Sequence, residues 1–144
     1  MSISYLSLGS NLGDRDHNLS EAVRLLREST DITVLAQSDR ITSTALTCDG
    51  STQPDYLNGV IKIETTLDPE ALLDTCQSIE VKLGRPAEHG KWEARTMDID
   101  ILLYDDLVIS TSRLTIPHPE IGKRGFVLEP LYAIEPGLKI TKNK

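Results

Sequence analysis

Cysteine is scarce in this sequence: Cys48 and Cys76 are the two thiols among 144 residues. They lack C-x-x-C spacing, which gives neither a zinc site nor a disulfide framework and points to a reduced compartment. Aromatic residues make up 4%, with Trp92 and Phe126 the single tryptophan and the single phenylalanine. No run of about 18 apolar residues occurs, so no membrane span is expected. Positive charge is in deficit, and a net charge of -7 argues against a protein that works by coating nucleic acid. MSISYLSLGS has no basic segment leading into an apolar one, so no secretion signal is visible and a cytoplasmic location is expected. What is present, 39% apolar residues without a long low-complexity tract, fits one soluble domain spanning residues 1–144 with a substantial core.

The pattern along the chain alternates between two periods. SISYLSLGSNLGDR reads as a short strand and a glycine turn, followed by a helix with Leu19, Ala22, Val23 and Leu26 on one side and Asn11 or Asp14 as its cap. Residues 32–43 and 56–65 are rich in β-branched residues and predict two strands. Asp68 and Pro69 predict the start of a second helix, Leu72, Cys76, Ile79 and Leu83 its apolar stripe, and Gly84 its end. A polar loop then leads to the strand RTMDIDILLY, onto which LVIS is expected to fold back after an Asp105-Asp106 turn. The order β-α-β-β-α-β predicts an α+β, ferredoxin-like fold: helices on one face of a mostly antiparallel sheet, with a tail of short strands and helix.

Polar chemistry gathers at four places. Period two puts Asp98, Asp100 and Leu102 on one strand face and Ile99, Ile101 and Leu103 on the other. The two carboxylates lie roughly 6.5–7 Å apart along the strand and repel unless water or a cation lies between them. Arg85, Lys91 and Arg95 precede them, and acids that hold Mg²⁺ beside bases that grip phosphate are a recurrent layout for phosphoryl transfer. A solvated edge strand that discourages aggregation is the ordinary alternative. GSNLGDR offers backbone amides at a helix start but lacks the lysine and spacing of a P-loop, so a plain cap fits it equally. In QPDYLN, Tyr56 and Asn58 share a strand side. In IPHPEIGKRGF, His118, Lys123, Arg124 and Phe126 cluster, and stacking of Trp92 and Phe126 on a flat ligand competes with simple loop packing.

YLSLGSNLGDR, QPDYLNGV, GR…W…RTMDIDILLY and LTIPHPEIGKRGFVLEPL follow one another as they do in the 6-hydroxymethyl-7,8-dihydropterin pyrophosphokinases of the folate pathway. The chain resembles that family over nearly its whole length. The resemblance implies two Mg²⁺ ions held by Asp98 and Asp100 and bridging the phosphates of ATP. It implies that Arg85, Trp92 and Arg95 belong to a loop closing over the reactants, with Gln77 and Glu80 near the nucleotide and Ile101, Arg113, Thr115, His118 and Arg124 completing the ATP site. A reduced pterin would lie between Tyr56 and Phe126, with Asn58 reading its amide-like edge and Trp92 and the stretch Ser43, Ala45 and Leu46 closing the pocket. Ser43, Ala45, Ala87 and Ala94 depart from the family pattern.

The implied reaction moves the β,γ-diphosphate of ATP to the pterin hydroxymethyl oxygen and releases AMP, in a monomer that needs no nucleic acid or membrane. Loose transition states of this kind are served by alignment and charge neutralisation, and no general base is identified. Two rivals make different predictions: a regulatory module that binds a small ligand or Ca²⁺ without turnover, and a Mg²⁺-dependent phosphohydrolase that releases phosphate without a pterin.

Overall fold

Leu6 and Leu8 alternate with Tyr5, Ser7 and Gly9 in the N-terminal stretch, and this period-two pattern forms the central strand of the sheet. The structure is a computed structural model and describes residues 1–10, 14–43, 56–83, 97–118 and 125–135. Its elements are β1 (Ser2–Ser10), α1 (Arg15–Glu28), β2 (Ile32–Gln37), β3 (Ile41–Ser43), β4 (Tyr56–Thr65), α2 (Pro69–Lys82), β5 (Asp98–Tyr104), β6 (Ile109–Ser110), β7 (Thr115–Ile116) and α3 (Gly125–Ile134). Among the described residues the main sheet runs β2-β4-β1-β5, with β3 also on β4. Every pair is antiparallel. With β2 and β3 taken together as one strand position, this is the expected ferredoxin-like order.

α1 and α2 cover one face. Asp14 caps α1 by accepting from the His17 N–H at 3.1 Å, and Asp68 caps α2 by accepting from the Ala71 N–H at 2.8 Å. Leu19, Ala22, Val23 and Leu26 of α1 and Leu72, Cys76 and Ile79 of α2 join Leu6, Leu8, Ile61, Ile63, Ile99 and Ile101 of the sheet in one buried cluster. Each fully buried leucine or isoleucine there contributes on the order of 1.5–3 kcal/mol. Gly84, the expected helix terminator, lies outside the described residues.

Four features differ from the sequence expectation. The strand expected over 32–43 is two strands, because Ser38 takes over the ladder between them: its N–H donates to Val60 O at 2.9 Å and its Oγ accepts from Val60 N at 2.9 Å. A bulge at Leu102 shifts the register between β1 and β5. Leu102 and Leu103 therefore both pack with Tyr5, Val60 and Leu131, while Tyr104 joins the α1/α2 core. Ile109–Ser110 pairs with Thr115–Ile116 and not with β5. The Asp105 turn does form, with a left-handed φ of 47°, but Thr111 closes a tight turn of its own through Leu114 O at 2.9 Å, and such local pairing needs little loop closure. The helices also do not all lie on one face. Leu131 of α3 packs on the opposite face from α1 and α2, and Glu135, just beyond α3, accepts from Tyr5 Oη at 2.8 Å and Lys62 Nζ at 2.7 Å.

α2 is fastened to β5 near both of its ends. The Tyr104 hydroxyl donates to Leu67 O, just before the Asp68 cap, and Glu80 accepts from Ile99 N at 2.8 Å. No described helix is long and apolar enough to cross a membrane.

Candidate functional site

Strand register assembles the first part of the site. Gly9 of β1 stands opposite Asn58 of β4 on one side and Asp98 of β5 on the other, and Ser7 stands opposite Asp100. Directly opposed residues share a sheet face, so Asn58, Asp98 and Asp100 all point to the face away from α1 and α2. Only a glycine separates Asn58 from Asp98, whose backbones are roughly 10 Å apart across two strand spacings. Asn58 is buried, and its Nδ2 donates to Ile41 O at 3.3 Å. The Leu102 bulge lies beyond Asp100, so the two aspartates keep their common face.

The second part is a cleft of about 230 Å³ along the outer edge of β5, between α2 and the segment 111–118. Five expected residues line it: Asp100, Ile101, Arg113, Thr115 and His118. His118 Nε2 lies 3.9 Å from Asp100 Oδ1, and both side chains are partly exposed, at 21% and 38%. The His118 N–H donates to Leu102 O at 3.0 Å, which secures the segment to the strand. Arg113 donates to Glu70 Oε2 at 2.7 Å and to Asp74 Oδ1, and its Nη2 lies 3.4 Å from Gln77 Oε1. The hydrogen bond and charge of Asp74, followed by Glu70, raise the Arg113 pKa further. Burial first, then the Glu80 and Asp100 carboxylates, push the Cys76 thiol up to about 12.

Several expected residues are placed by the backbone alone. Tyr56 begins β4 opposite Ser43 at the end of β3, and Phe126 is the second residue of α3. Arg85, Trp92, Arg95, Arg124, Ala45 and Leu46 lie outside the described residues, as does the rest of the loop 84–96. Glu80 is buried and engages the β5 backbone. Sequence reasoning missed Glu70 and Asp74, which restrain Arg113, as well as Leu73, Thr111, Ser112 and Leu114 in the cleft. The i, i+4 spacing of Glu70 and Asp74 was the available signal, since it places both on one helix face.

The donor set suits a hard cation. Asp98 and Asp100 offer carboxylate oxygens on one face of a rigid strand, as oxygen-seeking divalent ions require. No cluster of three or more His, Cys, Asp or Glu forms a ready metal cage among the described residues, so a cation there would draw its further ligands from a substrate or water.

Comparison with known proteins bears on the family and the fold. The model of the family described as 7,8-dihydro-6-hydroxymethylpterin-pyrophosphokinase (HPPK) matches residues 5–136. The 2-amino-4-hydroxy-6-hydroxymethyldihydropteridine pyrophosphokinase of Methylorubrum extorquens is 41% identical over 141 residues, which cover 97% of this chain and 87% of that protein. The bifunctional protein FolKE of Lactococcus lactis is 40% identical over 134 residues, and there the matched part is 93% of this chain but 38% of the relative. A crystal structure of an HPPK-DHPS in complex with substrates has the same fold, with a TM-score of 0.71 at 14% identity over 98% of this chain and 43% of that one. By the family match over residues 5–136 and the near full-length relative from Methylorubrum extorquens, the chain belongs to the 7,8-dihydro-6-hydroxymethylpterin-pyrophosphokinase family.

Proposed function

We propose that the chain transfers the β,γ-diphosphate of ATP to the hydroxymethyl oxygen of 6-hydroxymethyl-7,8-dihydropterin, giving AMP and the pterin diphosphate for folate synthesis. The observation that carries this reading is the row Asn58, Gly9, Asp98. An amide able to donate and accept sits roughly 10 Å from a carboxylate, with no side chain between them. That gap suits a flat bicyclic ring whose hydroxymethyl arm reaches toward the aspartates. Tyr56 and Phe126 are read as the stacking partners of the ring.

The nucleotide is read into the β5-edge cleft, where Ile101 and Thr115 form walls and Arg113 and His118 supply positive or hydrogen-bonding character. Glu70 and Asp74 hold the Arg113 guanidinium in place before any ligand arrives. Asp98 and Asp100 would hold two Mg²⁺ ions, which when bound supply charge neutralisation to the ATP phosphates and lower the pKa of the attacking hydroxyl. Arg85, Trp92, Arg95 and Arg124 are assigned to contacts with the reactants. The residues thus do their work by aligning acceptor and phosphate in line and by balancing charge.

Incubation with Mg-ATP and the reduced pterin alcohol tests the reading. AMP should form in step with pterin diphosphate. ADP as the main nucleotide would indicate attack at the terminal phosphorus, and phosphate release without pterin would indicate a hydrolase.

A further inference from the structure

Glu80 is a carboxylate only 5% exposed, yet its Oε2 spends a hydrogen bond on the backbone of Ile99 at 2.8 Å. Ile99 is the residue between Asp98 and Asp100. In an antiparallel pair, successive residues turn their N–H groups alternately toward and away from the partner strand. An Ile99 N–H that points outward to α2 therefore leaves the backbones of Asp98 and Asp100 turned inward, toward Gly9 and Ser7 of β1. The three residues are gripped from both sides: β1 holds the two aspartates, and Glu80 holds the peptide that joins them.

We propose that Glu80 is a positioning residue for the Asp98–Asp100 pair, fixing the strand edge from which both carboxylates project. The family resemblance alone would place Glu80 at the nucleotide. The geometry instead makes it a substitute for the neighbouring strand that the outer edge of β5 lacks among the described residues. Tyr104, bonded to Leu67 O, performs a like service at the other end of the same helix–strand pair. The strand backbone from which the two carboxylates project is then tied to α2 before any cation or nucleotide arrives. This inference rests on reading Asp98 and Asp100 as cation ligands.

Three variants and two measurements test it. Glutamine keeps a carbonyl oxygen for the Ile99 N–H, whereas alanine and methionine do not. In wild type, the Ile99 amide should exchange slowly, and Mn²⁺ should broaden the resonances of Asp98 and Asp100. Glu80→Ala and Glu80→Met should lose the Ile99 protection and weaken Mn²⁺ and Mg²⁺ binding about ten- to a hundredfold, the usual range for a group that supports a metal ligand. Glu80→Gln should restore both, and metal-free adenosine binding should stay level in all three. The proposal is overturned if Ile99 exchanges like an exposed amide in wild type, a result that needs no variant to fold. It is also overturned if Glu80→Gln is as impaired in cation binding as Glu80→Ala, or if adenosine binding falls while cation binding holds. Normal Mn²⁺ broadening without AMP formation from Mg-ATP and pterin would instead remove the functional reading and leave the positioning role standing.

Discussion

At the residue scale, the proposed reaction turns on two carboxylates that share a strand face, and each is expected to matter to chemistry more than to folding. Asp98→Asn and Asp100→Asn should each lower turnover about 10²-fold or more, the range for removing one preorganised electrostatic contact. Stability of the metal-free protein should hold or rise slightly, because like charges on neighbouring same-face positions repel. Steady-state kinetics over a Mg²⁺ series and thermal melts of the same samples check both halves. A variant that unfolds while its Mg²⁺ dependence stays like wild type would return the aspartates to the role of an edge-strand charge. The pair was readable in the sequence because strand alternation is strict over Asp98–Ile101. Its meeting with Asn58 was not, since register across Gly9 depends on which strands become neighbours. Arg113 shows the same limit. Its type and motif marked it for the nucleotide, but its ties to Glu70 and Asp74 join residues about forty positions apart in the chain.

At the element scale, α3 is held to the sheet at its C-terminal end by Glu135, with Tyr5 and Lys62 as donors. The Lys62 hydrogen bond first, then that of Tyr5, keeps the Glu135 carboxyl below its ordinary value of 4.5. A depressed carboxylate stabilises the fold fully above its unfolded pKa, and that contribution is lost as pH falls through the folded value. Burial first, then Glu135, raises the Tyr5 hydroxyl above its ordinary value of 10.0. Its contribution is complete below about pH 10 and is lost as pH rises through the higher folded value. The contribution of this contact to the melting temperature should thus be flat between these limits and fall outside them. Glu135→Gln should melt below wild type at neutral pH, and the gap should close in acid, as scanning calorimetry across pH would show. Locally encoded elements such as α1 and α2 were readable from their Asp14 and Asp68 caps and their apolar stripes. α3 was not placed on its own face, because GFVLEPLYAI is apolar nearly all round and offers no stripe to orient it. The Leu102 bulge was hidden for a related reason: in ILLY every residue is apolar, so a slip of one position leaves no trace in the pattern.

At the scale of the whole molecule, the sheet separates two kinds of work. One face and its two helices form the larger core, while the other carries both Leu131 of α3 and the Asn58–Asp98–Asp100 row. The order of elements made the ferredoxin-like layout readable, but the small β6–β7 sheet was not, since LVIS suits either partner and a turn at Thr111 decides between them. The fastening of α2 to β5 at Leu67 and at Ile99 has a mechanical consequence. Cys76 lies between the two fastenings, wholly buried, with a thiol pushed up to about 12. Its contribution to stability is complete below the thiol's unfolded value and is lost as pH rises through about 12, and burial keeps the group a thiol at neutral pH. In a Cys48→Ser background, alkylation of Cys76 should therefore be slow and should keep pace with exchange of the Ile99 amide. Glu80→Ala, which undoes one fastening, should speed it. The thiol becomes a clock for the parting of helix and strand: each labelled molecule records one moment when the floor of the cleft came away from its wall.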